Sequence, residues 1–362
     1  MKRQQLTQRL LDWYDRNRRQ LPWRQDRDPY RVWVSEIMLQ QTRVEAVIPY
    51  YNKFLQRFPS LHDLAAAPEE EVLSYWQGLG YYSRVRNLQQ GVREVVARYG
   101  GQVPDSPQDV RKLPGVGDYT AGAILSIAHN KPEPAVDGNV LRVISRLQRI
   151  EEPVEQSRTR KRVEQMVRDM MEQTERYGDF TQALMELGAL VCTPRSPRCG
   201  ACPWQDDCIA ARDQVQAELP KKKPAEPPRL VQVHTGILIA DRRVLAVQRP
   251  KTGLLAGMWQ FPAVEVLLPE QQLSEAELAS ALRQRFQELG QTVLLGCEWQ
   301  RLNHVFSHRQ WDLRAFLCDA GAVDFTHRLD ARWLTGAEIN GLNWAGPYRK
   351  LADRVQTELL DS

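Results

Sequence analysis

No run in this chain is apolar for long enough to cross a bilayer, and the opening segment MKRQQLTQRLLDWYD lacks the apolar stretch of a secretory leader. A chain with neither is expected in the cytosol, where thiols stay reduced. Neither sign of charge dominates: the formal net charge is +4, which permits a polyanionic partner without requiring one. No internal repeat is visible, so a repeat architecture is not expected. Cysteine is scarce, with six residues, and four of them fall between Cys192 and Cys208. Under reducing conditions that grouping argues against disulfides and for a metal site. Cys297 and Cys318 stand apart and read as ordinary apolar cysteines. What remains is ordinary for a folded protein: 362 residues, 42% hydrophobic and 26% charged, enough for two or three domains with their own cores.

Up to about residue 210 the pattern is helix after helix. Val85, Leu88, Val92, Val95, Val96 and Tyr99 recur at helical spacing, and Gly100-Gly101 stops the run. Ser106-Pro107 opens another helix, and Val163, Met166, Val167, Met170 and Met171 form a further core-facing stripe. At 218–229 the texture changes to ELPKKKPAEPPR, whose four prolines and three lysines suit a tether rather than a core. Strand-like runs follow at Gln232–Ala240, Val244–Gln248 and Trp311–Cys318, with one helix at Glu275–Leu289. The expected fold is multidomain: an all-α part joined to an α/β part.

Several short stretches carry chemistry. In Ser35–Thr42, SEIMLQQT, one carboxylate sits in an apolar helix. A buried carboxylate is costly, so Glu36 has a partner, stays partly wet, or serves as a proton donor. Leu113–Ala121, LPGVGDYTA, joins two helices through two glycines whose bare N–H groups suit a phosphate. Pro134–Val140, PAVDGNV, supplies a second carboxylate, Asp137, with the amide of Asn139 beside it; alone, Asp-Gly reads as a turn. Cys192, Cys199, Cys202 and Cys208 can wrap one tetrahedral centre, and their spacing alone admits zinc or an iron–sulfur cluster.

The C-x6-C-x2-C-x5-C spacing and the LPGVG hairpin resemble the helix-hairpin-helix, or endonuclease III, superfamily of DNA repair glycosylases. Further matches narrow the resemblance to the MutY-type, adenine-excising family: Leu21-Pro22-Trp23-Arg24, SEIMLQQT, Gly78–Tyr82 (GLGYY), VDGN, the proline-rich tether and Phe306-Ser307-His308. That resemblance implies an all-α catalytic region at 1–212, with a helix-hairpin-helix module at about 24–130 and an iron–sulfur module built from 1–23 and 131–212. It implies a linker at 213–230 and a Nudix-like α/β domain at 231–362. The cofactor is then a [4Fe–4S] cluster on Cys192, Cys199, Cys202 and Cys208, with Arg195, Arg198 and Arg212 on a basic surface facing DNA.

The same resemblance implies roles. Gly115, Val116, Gly117 and Thr120 grip DNA phosphate. Leu21, Trp23 and Arg24 line an adenine pocket. Glu36 is the acid toward N7 of adenine, and Asp137, with Asn139 beside it, stays ionised. Gln41 fills the gap left by a flipped base, Tyr81 is a wedge beside the opposing base, and Phe306, Ser307 and His308 sense 8-oxoguanine. Bifunctional members of the superfamily carry an imine-forming lysine where this chain has Tyr119, so base removal without strand cleavage is implied. The C-terminal helix ends LRQRFQELG, with one acidic residue where a Nudix hydrolase needs several, so nucleotide hydrolysis is not expected. The implied partner is double-stranded DNA with adenine opposite 8-oxoguanine or guanine. The implied protein is a monomer, away from membranes, in the cytoplasm and held at the nucleoid through DNA.

Overall fold

The computed structural model describes residues 2–361 apart from Ala225, 269–272, Ser307, Thr326, His327 and Leu329. The chain divides into two units, Met1–Pro224 and Ala225–Ser362. Among the described residues no helix is long and apolar enough to cross a membrane.

The first unit is helical and, among its described residues, has two large cores and a small apolar cluster of Val32, Ala123, Ile127 and Ala135. One large core draws on residues between Leu21 and Leu125, the other on Leu6–Tyr14 together with residues between Val136 and Trp204. In the first core lies the helix Pro29–Leu39. It starts where proline is tolerated, and the Asp28 side chain caps it by accepting the Arg31 N–H at 3.0 Å. From Val32 to Met38 every residue is buried, so the helix has no wet face and Glu36 is desolvated with its neighbours. The helix Ser83–Arg98 buries Val85, Leu88, Val92 and Val95, as its spacing predicts, and ends before the glycine pair.

The hairpin runs from Pro107–Val110 to the helix Asp118–Ala123, which continues as a π-helical turn, Ile124–Ala128. Gly115 takes φ of 74°, a conformation that side chains resist. Gly122 is needed for closeness: a Cβ there would meet the Pro134 carbonyl oxygen at 2.1 Å. That contact sets the 134–136 segment against the hairpin helix and delivers Asp137 to the start of the helix Gly138–Gln148.

The link between the units differs from the expected 213–230. Gln216–Glu218 form a 3-10 turn and Leu219 is buried. The Val154 N–H bonds the Lys221 carbonyl at 3.1 Å, and the Lys223 N–H bonds the Glu155 carboxylate at 3.1 Å. Arg229 already belongs to a strand. Proline and lysine content marked the right place, but backbone bonds hold its first half against the helical unit.

The second unit is built on a seven-stranded mixed sheet in the order β3-β2-β1-β6-β5, with β4 on β1 and β7 on β2. The strands are β1 Arg229–Ala240, β2 Arg243–Gln248, β3 Trp259–Gln260, β4 Ala263–Leu267, β5 Thr292–Val305, β6 Arg309–Ala322 and β7 Ala331–Leu334. β1 runs parallel to β6, and the other pairs are antiparallel. Trp311, Leu313 and Ala315 are buried as their alternation predicts. The phase then shifts, so that Cys318 rather than Leu317 is buried, beside the β5 irregularity between Leu295 and Glu298. Cys297 is exposed on β5, contrary to its reading as an apolar cysteine. The helix Glu275–Glu288 is opened by a Ser274–Glu277 capping box and buries Leu278, Leu282 and Phe286. Its acids are engaged: Glu275 pairs with Arg314, Glu277 caps Ser274, and Glu288 pairs with Arg285.

Gly122→Ala places a methyl group against fixed backbone. It is expected to destabilise the first unit by about 1–3 kcal/mol, read as a lowered melting temperature. An unchanged melting temperature would contradict the close approach of the 134–136 segment.

Candidate active site

A cavity of about 180 Å³ opens between the two cores of the helical unit. Leu21 and Trp23 of the first core and Met185 beside the second line it, together with Glu36, Tyr119, Asp137, Asn139 and Glu186. The sequence reading had singled out Leu21, Trp23, Arg24, Glu36, Tyr119, Asp137 and Asn139, and all of them line this space.

The two central carboxyl groups live in different surroundings. Glu36 is 5% exposed. Its carboxylate oxygen Oε2 accepts a 2.5 Å hydrogen bond from the Tyr119 hydroxyl. Burial pushes its pKa up to about 7; the Tyr119 bond opposes this, and the charge of Asp137 adds to it. Asp137 is the N-cap of its helix. Its Oδ1 accepts the Val140 N–H at 2.7 Å, and its Oδ2 accepts the Asn139 amide at 2.7 Å. Burial raises its pKa too, while these bonds favour its charged form. One group thus has a single donor and the other has backbone and amide donors. Such a difference lets one carboxyl carry a proton while the other carries charge. The turn reading of Asp-Gly is met by the N-cap, and the same cap places Asp137 in the lining of the cavity.

The sequence reading missed Glu186 and Arg19. Glu186 is 1% exposed on the helix Tyr177–Leu190. Arg19 grips both of its oxygens, each at 2.9 Å, and Arg24 adds a 2.9 Å bond. Burial pushes this carboxyl up, but the two guanidinium groups outweigh it and hold its pKa at about 2. The signal was present, since TQALMELGAL encloses one acid in an apolar helix just as SEIMLQQT does.

Outside the cavity, Gln41 and Tyr81 are exposed at two turns. In the hairpin, Gly115 and Gly117 are exposed. Val116 and Thr120 depart from the expected phosphate contact. Val116 is buried with its N–H on the Leu113 carbonyl at 3.1 Å, and Thr120 is buried beside the Gln40 amide at 3.4 Å. Both support the hairpin from within. In the second unit, the Phe306 N–H bonds the Arg309 carbonyl at 2.7 Å, closing the turn between β5 and β6. Phe306 packs on His304 and Trp311 at ring separations of 4.5 and 5.2 Å, and His308 is exposed. Ser307 lies outside the described residues.

Cys192, Cys199, Cys202 and Cys208 surround a small void of about 20 Å³. Among the described residues no group of three or more His, Cys, Asp or Glu is placed to hold a single metal ion. Arg146 donates to the Cys192 sulfur at 3.4 Å, and the Gln216 amide approaches that of Cys199 at 3.7 Å. Trp204 ties the loop to the N-terminal helix through a 2.9 Å bond to the Leu6 carbonyl. Arg142 bonds both the Cys192 carbonyl, at 2.7 Å, and the Asn139 side chain, at 2.8 Å. Of the expected basic surface, Arg195 is exposed, while Arg198 bonds the Leu190 carbonyl and Arg212 pairs with Asp213.

Residues 34–169 match the HhH-GPD superfamily of base excision DNA repair proteins. Residues 192–208 match the iron–sulfur binding domain of endonuclease III, and 234–354 match a NUDIX domain. The chain is 38% identical to the adenine DNA glycosylase of Mus musculus, over 91% of this chain and 74% of the mouse protein. It is 31% identical to that of Schizosaccharomyces pombe, over 91% of this chain and 85% of the yeast protein. Among solved structures, a thermostable thymine-DNA glycosylase superposes with a TM-score of 0.52 at 29% identity, covering 59% of this chain and 98% of that one. A non-covalent endonuclease III–DNA complex has a TM-score of 0.50 at 24% identity, covering 60% and 99%, which shows the fold alone.

Tyr119→Phe removes the donor to the Glu36 carboxylate. Glu36 is therefore expected to titrate above its wild-type value of about 7, as followed by carbon-13 NMR of labelled glutamate. An unshifted titration would contradict the hydrogen bond.

Proposed function

Since the chain belongs to the adenine DNA glycosylase family, a family of DNA N-glycosylases acting in base excision repair, we propose that it removes adenine paired with 8-oxoguanine or guanine and leaves the sugar in place. The observation that carries this reading is the single cavity holding a desolvated Glu36 and a capped Asp137.

The reaction breaks the bond between C1′ of the sugar and N9 of adenine. Its electron pair leaves with the base, and the Glu36 proton passes to N7, so the base departs neutral. The positive charge left on the sugar faces the Asp137 carboxylate, held in place by the Val140 N–H and the Asn139 amide. Water adds to C1′ and gives up a proton to the Glu36 carboxylate, which restores the acid. Arg24, fixed by Glu186, and the walls of Leu21 and Trp23 orient the extruded adenine. Tyr119 holds Glu36 and has no amine with which to form an imine, so the sugar–phosphate chain stays intact.

The chain carries a [4Fe–4S] cluster. Cys192, Cys199, Cys202 and Cys208 are its ligands in this reading, and when bound it supplies iron–thiolate bonds that close the loop. Gln41 and Tyr81 enter the duplex at the site of extrusion. The exposed glycines of the hairpin contact phosphate, as does the exposed Arg195. The β5–β6 turn, with His308 exposed and Phe306 anchored beneath it, reads the opposing base. The protein acts as a monomer on double-stranded DNA.

An end-labelled duplex with one adenine opposite 8-oxoguanine tests this. Scission only after hot alkali is expected; scission without alkali would place the chain among strand-cleaving enzymes, and none in either case would refute the reading. Asp137→Asn is expected to lower single-turnover base release by at least about a hundredfold while leaving DNA binding within a few fold. Retained activity would remove Asp137 from the mechanism.

A further inference from the structure

One side chain near the start of the helix Ser83–Arg98 has no part in the reaction described above. Arg84 sits in the first helical turn, where the helix dipole disfavours a cation, and burial pulls its pKa down to about 10. Its placement is offset by a ring of backbone carbonyls. Nη1 donates to Ile37 O at 2.9 Å, to Met38 O at 3.3 Å and to Gln40 O. Nη2 donates to Leu79 O and Gly80 O, each at 3.2 Å. The first set lies at the C-terminal end of the helix that bears Glu36, where carbonyls have no partner within the helix. The second set belongs to the turn that leads into Tyr81. The guanidinium plane also lies over the Trp76 and Tyr81 rings, 5.5 and 5.3 Å from their centroids.

One residue beyond each set of anchored carbonyls stands an exposed side chain on a left-handed backbone: Gln41 with φ of 58° and Tyr81 with φ of 48°. Non-glycine residues hold such a conformation only where their surroundings impose it. We propose that Arg84 is a positioning residue that fixes the spacing of the Gln41 and Tyr81 turns, so that both side chains enter the duplex as one unit. The proposal rests on the reading that Gln41 and Tyr81 enter DNA. Only a planar, multidentate group serves here. A lysine ammonium keeps the charge but cannot span two sets of carbonyls and stack on two rings.

The test uses the full-length holoprotein and a duplex with adenine opposite 8-oxoguanine. Single-turnover excision is measured for Arg84→Lys, for Gln41→Ala, for Tyr81→Ala, for the Gln41→Ala/Tyr81→Ala double variant, and for the triple variant. Each single change is expected to slow excision about tenfold. Arg84→Lys is expected to add less than about twofold in the double-variant background, because it acts through the same two side chains. The fluorescence rise of a 2-aminopurine placed at the target position, which reports unstacking, is expected to shrink in Arg84→Lys while cluster absorbance stays at the wild-type level. A general loss of stability would not produce that pair of results. Arg84→Gln, measured in the same way, supplies a second variant if Arg84→Lys folds poorly. A full tenfold loss from Arg84→Lys in the double-variant background, or no loss in the wild type, overturns the proposal while leaving the entry of Gln41 and Tyr81 intact. Silent Gln41→Ala and Tyr81→Ala variants overturn that reading, and the proposal with it.

Discussion

The hydrogen bond from Tyr119 to Glu36 holds together the parts on which the chemistry depends. It joins a helix with no wet face to the first turn of the hairpin helix, and it gives a desolvated carboxyl one neutral donor. A stronger partner, such as an arginine, would keep Glu36 ionised, as Arg19 and Arg24 keep Glu186. With none, the group would be an unpaired polar atom in a packed core. The single hydroxyl sits between these limits: burial raises the pKa, and the Tyr119 bond holds the rise to about 7. In the proposed reaction this residue bears on two properties, since a phenol forms no imine and its hydroxyl tunes the acid.

Guanidinium groups do much of the remaining fixing, each where several oxygens converge. Arg19 and Arg24 set the Glu186 wall of the cavity, and Arg142 links Asn139 to the cysteine loop. Arg146, 2% exposed, bonds the Leu219, Thr193 and Pro194 carbonyls as well as the Cys192 sulfur. Arg84 does the same at the two exposed turns. Lysine could not replace these residues, because each uses the planar fork to reach partners in different directions. A few arginines thus act from within the fold, with Arg142 and Arg146 buried, and net charge alone says little about where DNA is met.

Local chemistry was legible in the sequence where it is encoded by neighbours in the chain. The helix before Gly100 is a case where one short stretch contains its own reason. Glu186 was passed over because its partners, Arg19 and Arg24, lie far away in the chain and the pairing exists only after folding. The tether was placed correctly from its prolines, but its length was overestimated, since the bonds of Val154 and Glu155 to its first half are invisible in sequence. Val116 and Thr120 were assigned by motif membership, and a motif records spacing without saying which side chain faces inward. The helix Gly346–Val355, with Tyr348 and Leu351 fully buried, was not among the expected elements.

The central claim is that burial makes Glu36 the acid. Its most direct test is the pH dependence of single-turnover adenine release by the wild-type protein, compared with Glu36→Gln. An ionised Asp137 and a protonated Glu36 are both required, so the wild-type rate should fall at acid pH as Asp137 takes up a proton and fall above about pH 7, by about tenfold per unit, as Glu36 ionises. Glu36→Gln should be slow throughout and lack that limb. A wild-type rate that is level between about pH 5 and 9, or that rises through neutrality, would contradict the assignment.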